Sequence, residues 1–188
     1  MKKYLLLILF VSLFFIPNES YADTFGYTTR GVSVINLENY IRGGGFGISA
    51  NGTGISITIL VDGTGTAQTE KGNIYNTDNT PLTNGQTNQI TTGGSGPRTD
   101  VMNFTSAPTF VNGTTYLIEG WSNNAINGKS LAYDTATGEG RTQSAAYGTW
   151  PNPLVPVSGN ERYSIYVTYT PSGGGAAPIY DEIIWFEE

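Results

Sequence analysis

Cysteine and histidine are both missing from the 188 residues. Their absence removes disulfide staples, thiolate nucleophiles, Ser/His/Asp and Cys/His triads and the ordinary zinc ligand sets. Charge is scarce as well. Nine Lys and Arg stand against fifteen Asp and Glu, a formal net charge of −6. Beyond residue 23 the basic residues are scattered singly from Arg30 to Arg162. A polyanion binder needs clustered Lys and Arg to displace counterions, so no nucleic-acid partner is expected. Leu, Ala, Glu and Lys are also too sparse in this part of the chain to furnish an amphipathic helix.

Only one long apolar run occurs. It extends from Tyr4 to Ile16 behind Met1-Lys2-Lys3, and is followed by Pro17 and by Ser20-Tyr21-Ala22. A positive start, an apolar stretch too short for a bilayer and small residues before the cut predict a secretory signal peptide over residues 1–22. Cleavage is expected after Ala22. No cysteine can then accept a lipid, so the expected location is extracellular or at the cell surface, with the periplasm as alternative and no membrane association after cleavage. Export without any disulfide suits a bacterial or archaeal source. The remainder is long enough for one self-supporting core.

What the chain has in quantity is strand and turn chemistry. Thr, Tyr, Ile and Val alternate between Gly, Asn and Pro punctuation. Ile55 to Val61 alternates with the period of two that one buried face produces, as does Tyr163 to Tyr169 and, less cleanly, Thr115 to Trp121. Further strands are expected over 40–49, 70–75, 87–90, 99–104, 130–134 and 142–147. Asn51-Gly52, Asn84-Gly85, Asn112-Gly113 and Asn127-Gly128 carry the chemistry of tight hairpin turns. The fold class is therefore all-β. About nine strands without crossover helices predict an antiparallel, jelly-roll-like β-sandwich over residues 23–170, with a small closed barrel as the other solution. Its inner faces should be fed by Ile55, Ile57, Ile59, Val61, Ile165 and Val167.

Residues 171–188 form a Gly/Pro-rich linker leading into an acidic, aromatic end that contains Ile183, Ile184, Trp185 and Phe186. Two readings apply: an edge strand folding back on the sandwich, or residues 179–188 docking on another protein by strand addition.

With triads excluded, chemistry would need a carboxylate pair. Glu38, Glu119, Asp134, Glu139 and Glu161 are candidates, and nothing in their spacing makes them converge. Catalytic residues are accordingly expected to be none. The Asn-x-Thr triplets at Asn51, Asn103 and Asn112 arise readily in so Asn- and Thr-rich a chain. No cofactor is expected; calcium is the one metal to weigh, because Asn76-Thr77-Asp78-Asn79 offers oxygen ligands. An ordinary Asx turn explains the same tetrapeptide.

The more suggestive constellation is aromatic. If Tyr116, Ile118 and Gly120 face the core, alternation places Leu117, Glu119 and Trp121 on the opposite face. A carboxylate beside an indole suits neutral sugars, which stack on the ring and hydrogen-bond at its rim. Tyr133, Asp134, Arg141, Tyr147 and Trp150 could extend that surface. The plainer reading makes Trp121 and Trp150 rim or core residues of the sandwich.

Four segments stand in a suggestive order: Thr24-Phe25-Gly26-Tyr27-Thr28-Thr29-Arg30-Gly31, Asn39-Tyr40-Ile41-Arg42-Gly43, Ala146-Tyr147-Gly148-Thr149-Trp150-Pro151 and Arg162 to Tyr169. Together they give residues 24–170 a chain that resembles a secreted, jelly-roll-like, carbohydrate-binding-module-like unit of environmental microbes. The resemblance implies a sandwich that binds polysaccharide or surface glycan, and it supplies no catalytic residues. The alternative is a structural or adhesive surface protein that assembles through its C-terminal segment.

Overall fold

The computed structural model describes residues 21–123 and 128–172. The leader up to residue 20, Asn127 and the closing segment from residue 173 lie outside the described residues.

Thirteen strands and no helix make up the described chain. They are β1 (Asp23–Gly26), β2 (Ser33–Asn36), β3 (Tyr40–Gly47), β4 (Gly52–Thr64), β5 (Gln68–Tyr75), β6 (Pro81–Gln86) and β7 (Ile90–Thr92). There follow β8 (Ser95–Asn103), β9 (Thr109–Phe110), β10 (Thr115–Ser122), β11 (Ser130–Ser144), β12 (Val157–Tyr163) and β13 (Ile165–Pro171). The fold is all-β and antiparallel as expected, with thirteen strands rather than nine. Short strands without strong alternation, such as β1, β2 and β9, account for part of the difference. The expected strands 130–134 and 142–147 prove to be parts of the single long β11.

The hydrogen-bonded ladder is continuous, in the order β1-β13-β4-β11-β3-β10-β5-β6, with β8 and β9 on β4, β7 on β5, and β2 and β12 on β11. It doubles over into two layers. Ile57, Ile59 and Val61 of β4, with Ile165, Val167 and Tyr169 of β13, meet Ile74 of β5 and Tyr116 and Ile118 of β10 in one fully buried cluster. Glycines let the layers close. A Cβ on Gly72 of β5 would lie 2.8 Å from the Ile57 Cδ1, so this position admits no larger side chain without movement. Phe25, Phe110 and Tyr169 close one end of the core edge to face, with centroids 5.0 to 6.3 Å apart.

Two sequence expectations fail locally. Ile55 is 43% exposed rather than inward, because the β13 ladder skips it: Thr168 pairs with Ser56 and Tyr169 with Gly54. A β-bulge at that point breaks the alternation. Asn84-Gly85 is not a hairpin turn either; it lies inside β6, where Asn84 takes a φ of 62° and the pairing with β5 shifts register. Asn112-Gly113 does form the tight turn between β9 and β10, with Gly113 at a φ of 76°.

Candidate functional site

The alternation along β10 is as expected: Tyr116 and Ile118 enter the main core, and Leu117, Glu119 and Trp121 point the other way. That other face is not open to solvent. The segment after β11 crosses it, and Trp150 and Leu154, with Ala145 and Tyr147 beside them, bury Ile41, Tyr75, Leu117 and Trp121 in a second apolar cluster. Trp121 is 1% exposed and Glu119 is fully buried, which corrects the picture of both as an open platform. The covering segment is tied down at several points. The Trp121 Nε1 donates to the Ala145 carbonyl at 3.2 Å, the Tyr75 hydroxyl to the Pro151 carbonyl at 2.9 Å, and the Leu154 amide to the Asn79 carbonyl at 2.9 Å.

Lys71 of β5 is the main clamp. Its ammonium lies 4.6 Å from the Trp121 ring centre, 4.7 Å from that of Tyr147 and 5.3 Å from that of Trp150, and it donates to the Gly148 carbonyl. A cation desolvated among three aromatic faces is held by the ring quadrupoles. Burial lowers the pKa of the Lys71 amine.

Across the middle of the same face runs a polar row set by strand register: Arg141, Gly43, Glu119, Asn73 and Gln86 stand side by side on β11, β3, β10, β5 and β6. Gly43 is required there, since a Cβ would lie 1.8 Å from the Ile118 carbonyl oxygen of β10, and 2.6 Å from a Glu119 carboxyl oxygen as well. Neither oxygen of Glu119 has a hydrogen-bond partner among the described residues. Burial therefore pushes the Glu119 pKa well up, with the nearby Arg141 charge opposing the shift. The consequence has a definite sign. A raised folded-state pKa contributes stability that is complete below the ordinary value of 4.5 and is lost as pH rises through the folded value. Glu119→Gln should flatten that alkaline loss. Thermal melts between pH 5 and pH 9 should fall less steeply for the variant than for the parent, and parallel curves would contradict the assignment.

The remaining expected site residues divide. Arg141, Tyr147 and Trp150 belong to this face together with Glu119 and Trp121. Tyr133 and Asp134 do not join them. Tyr133 tilts against Tyr163 at 6.1 Å on the main core. The Asp134 carboxylate instead accepts from the Tyr27 hydroxyl at 2.5 Å and the Val32 amide at 3.0 Å, anchoring the 27–32 loop. The other carboxylates are also engaged separately: Glu139 with Arg162 at 2.5 Å, and Glu38 with Gln68 at 3.1 Å. The tetrapeptide weighed for calcium forms a turn, in which Asp78 accepts from both the amide and the hydroxyl of Thr80 at 3.0 and 2.6 Å.

Next to Trp150, where the covering segment meets β6, a cleft of about 670 Å³ opens. Asn73, Asn84, Gln86 and Asn152 supply amides to its wall, and Thr105, Ser106 and Thr149 supply hydroxyls. No charged residue lines it. Trp150 forms part of the wall at 8% exposure, and its indole N–H is buried with no partner among the described residues. Sequence reasoning picked out Trp150 but missed the amides, because Asn84-Gly85 reads as turn chemistry and Asn73 as an ordinary strand position.

No family model matches the sequence, and no curated protein is similar to it. Among solved structures, a clostridial cysteine protease, Cwp84, in its form after propeptide cleavage, is similar over 80% of this chain with a TM-score of 0.55 and 13% identity. The match spans 40% of that protein, and the likeness is one of fold alone.

Proposed function

We propose that the chain is a secreted, non-catalytic carbohydrate-binding module whose cleft beside Trp150 holds a neutral, hydroxyl-rich polysaccharide. The observation that carries this reading is the cleft's wall: amides and hydroxyls around one indole, with no charge. Amides donate and accept at once, as sugar hydroxyls require, and the edge of the Trp150 ring adds an apolar surface beside them. A wall of this kind offers nothing to neutralise a uronate or a sulfate. Glu119 has no part in binding on this reading, and Lys71 acts by holding Gly148 to Trp150 in place.

A glycan array probed with the full chain tests the proposal. Neutral plant, algal, fungal or bacterial polysaccharides should be retained, polyuronates should not, and calcium should make no difference, since the cleft offers no carboxylate to it. Asn84→Ala combined with Gln86→Ala should weaken retention by about tenfold or more, at about 0.5–1.5 kcal/mol per hydrogen bond lost. Both side chains are exposed, and since Asn84 holds a φ of 62° that strains alanine, Asn84→Gly with Gln86→Ala serves as the control that removes the same amides without the strain. Silence across the array, or binding that ignores the double variant, would contradict the reading.

A further inference from the structure

Away from the cleft, where β5, β7 and β8 meet the start of β11, a lysine and two carboxylates are sealed from water. Lys129 is 1% exposed, Glu70 is fully buried and Asp100 is 5% exposed. The Lys129 Nζ lies 2.8 Å from Glu70 Oε1 and 3.0 Å from Asp100 Oδ2, and it also contacts the Thr92 hydroxyl. Asp100 Oδ2 takes two further donors, the Arg98 Nε at 3.1 Å and the Thr92 hydroxyl at 3.1 Å. Glu70 Oε2 has no partner among the described residues.

We infer that this cluster forms an intramolecular amide bond between the Lys129 Nζ and the Asp100 Cγ, with Glu70 as the proton carrier. The chemistry balances within the cluster. Glu70 gives its proton to Asp100, making a neutral carboxylic acid, and then takes one from the Lys129 ammonium, leaving a neutral amine. The nitrogen lone pair attacks Cγ while Oδ2 carries the developing negative charge between Arg98 and Thr92. The C–Oδ1 bond then breaks, Oδ1 leaves as water with a proton carried from the nitrogen by Glu70, and Glu70 ends protonated as it began. An ammonium, a carboxylate and no co-reactant become one amide and one water.

Three features favour the step. The reacting groups are already in contact, so the reaction needs no encounter. Burial disfavours the ion pair and excludes the water that would reverse the condensation. Burial and the adjoining Asp100 carboxylate also push the Glu70 pKa up to about 7, where a proton carrier works in both directions. The bond would tie β8 to β11 in a chain that has no cysteine with which to do so.

Intact mass of the denatured full chain, its N-terminus fixed by terminal sequencing, reads the result directly. The expected mass is that of the sequence less one water, and a protease digest should contain a branched peptide joining Lys129 to Asp100. Glu70→Gln and Lys129→Arg should each restore the full mass, and Asp100→Asn should lose ammonia in place of water. An unreduced mass in the parent chain after prolonged incubation at neutral pH would overturn the proposal and leave the cluster an ion pair. A branch mapped to Glu70 would overturn the assignment of roles.

Discussion

Lys129→Met is expected to destabilise the fold by about 3–5 kcal/mol, the cost typical of removing one partner from a buried charge cluster. The substitution keeps the apolar stem, so measured against parent chain whose mass still includes the water, in which no amide has formed, the effect isolates the ammonium. Without it, Glu70 and Asp100 face each other in the interior with only Arg98 and Thr92 to share between them. The sign with pH follows. Burial pushes the Asp100 pKa up, but a hydrogen bond with Glu70, the hydrogen bond and charge of Lys129 and the charge of Arg98 together hold it below its ordinary value. Removing the Lys129 charge should raise both carboxyl pKa values, so the loss of stability should be greatest at neutral and alkaline pH and smaller in acid, where the carboxyls protonate. Adding Glu70→Gln and Asp100→Asn to the variant should recover most of the stability, since uncharged amides can share hydrogen bonds where two carboxylates repel. Chemical denaturation at pH 5 and pH 8 checks both points; an equal loss at the two pH values would contradict the account.

Trp121→Ala should cost a comparable amount, about 3–5 kcal/mol, because it opens a cavity in the second cluster. Trp121 packs tilted against Trp150 and Tyr147 with ring centres 5.0 and 5.3 Å away, carries the Lys71 ammonium on its face and holds Ala145 through its N–H. Removing it unfastens the covering segment from three sides. The variant should therefore show early proteolysis within residues 145–154 as well as a lowered melting temperature. Any loss of glycan binding would follow from that loosening. Trp121→Phe, which keeps a ring beneath Lys71, should lose roughly half as much. A variant with unchanged melting and unchanged protease resistance would mean that Trp121 is not buried as described.

The sequence made parts of this arrangement legible and hid others, for reasons that can be named. Alternation in Ile57 to Val61 and in Ile165 to Val167 marked the main core correctly, because one buried face imposes a period of two. Ile55 broke the rule at a bulge, a feature of pairing that no local pattern announces. The opposite orientation of Leu117, Glu119 and Trp121 was readable, but their burial was not. The segment that covers them, Ala145 to Leu154, has no periodicity, and its Trp150-Pro151-Asn152-Pro153 reads as a loop. Lys129, Glu70 and Asp100 converge only through the folding of the sheet, so nothing in their spacing flags them. The cleft's amides were hidden in the same way, each looking like a residue chosen for its turn or its strand. The expectation of secretion rests on the first 22 residues, and the two readings of the C-terminal segment, edge strand or docking at residues 179–188, rest likewise on sequence alone.

The binding cleft is the central claim, and the indole N–H groups offer the most direct test of it. Tryptophan occurs three times, at positions 121, 150 and 185, so the indole region of a nitrogen-15 correlation spectrum of the full chain is simple to assign by substitution. During titration with neutral oligosaccharides retained on the array, the Trp150 Nε1–H and the side-chain amides of Asn84 and Gln86 should shift saturably, while the Trp121 Nε1–H, already bonded to Ala145, stays in place. Saturable shifts confined to other residues, with the Trp150 signal unmoved, would contradict the placement of the site; no shift at any ligand concentration would contradict the function.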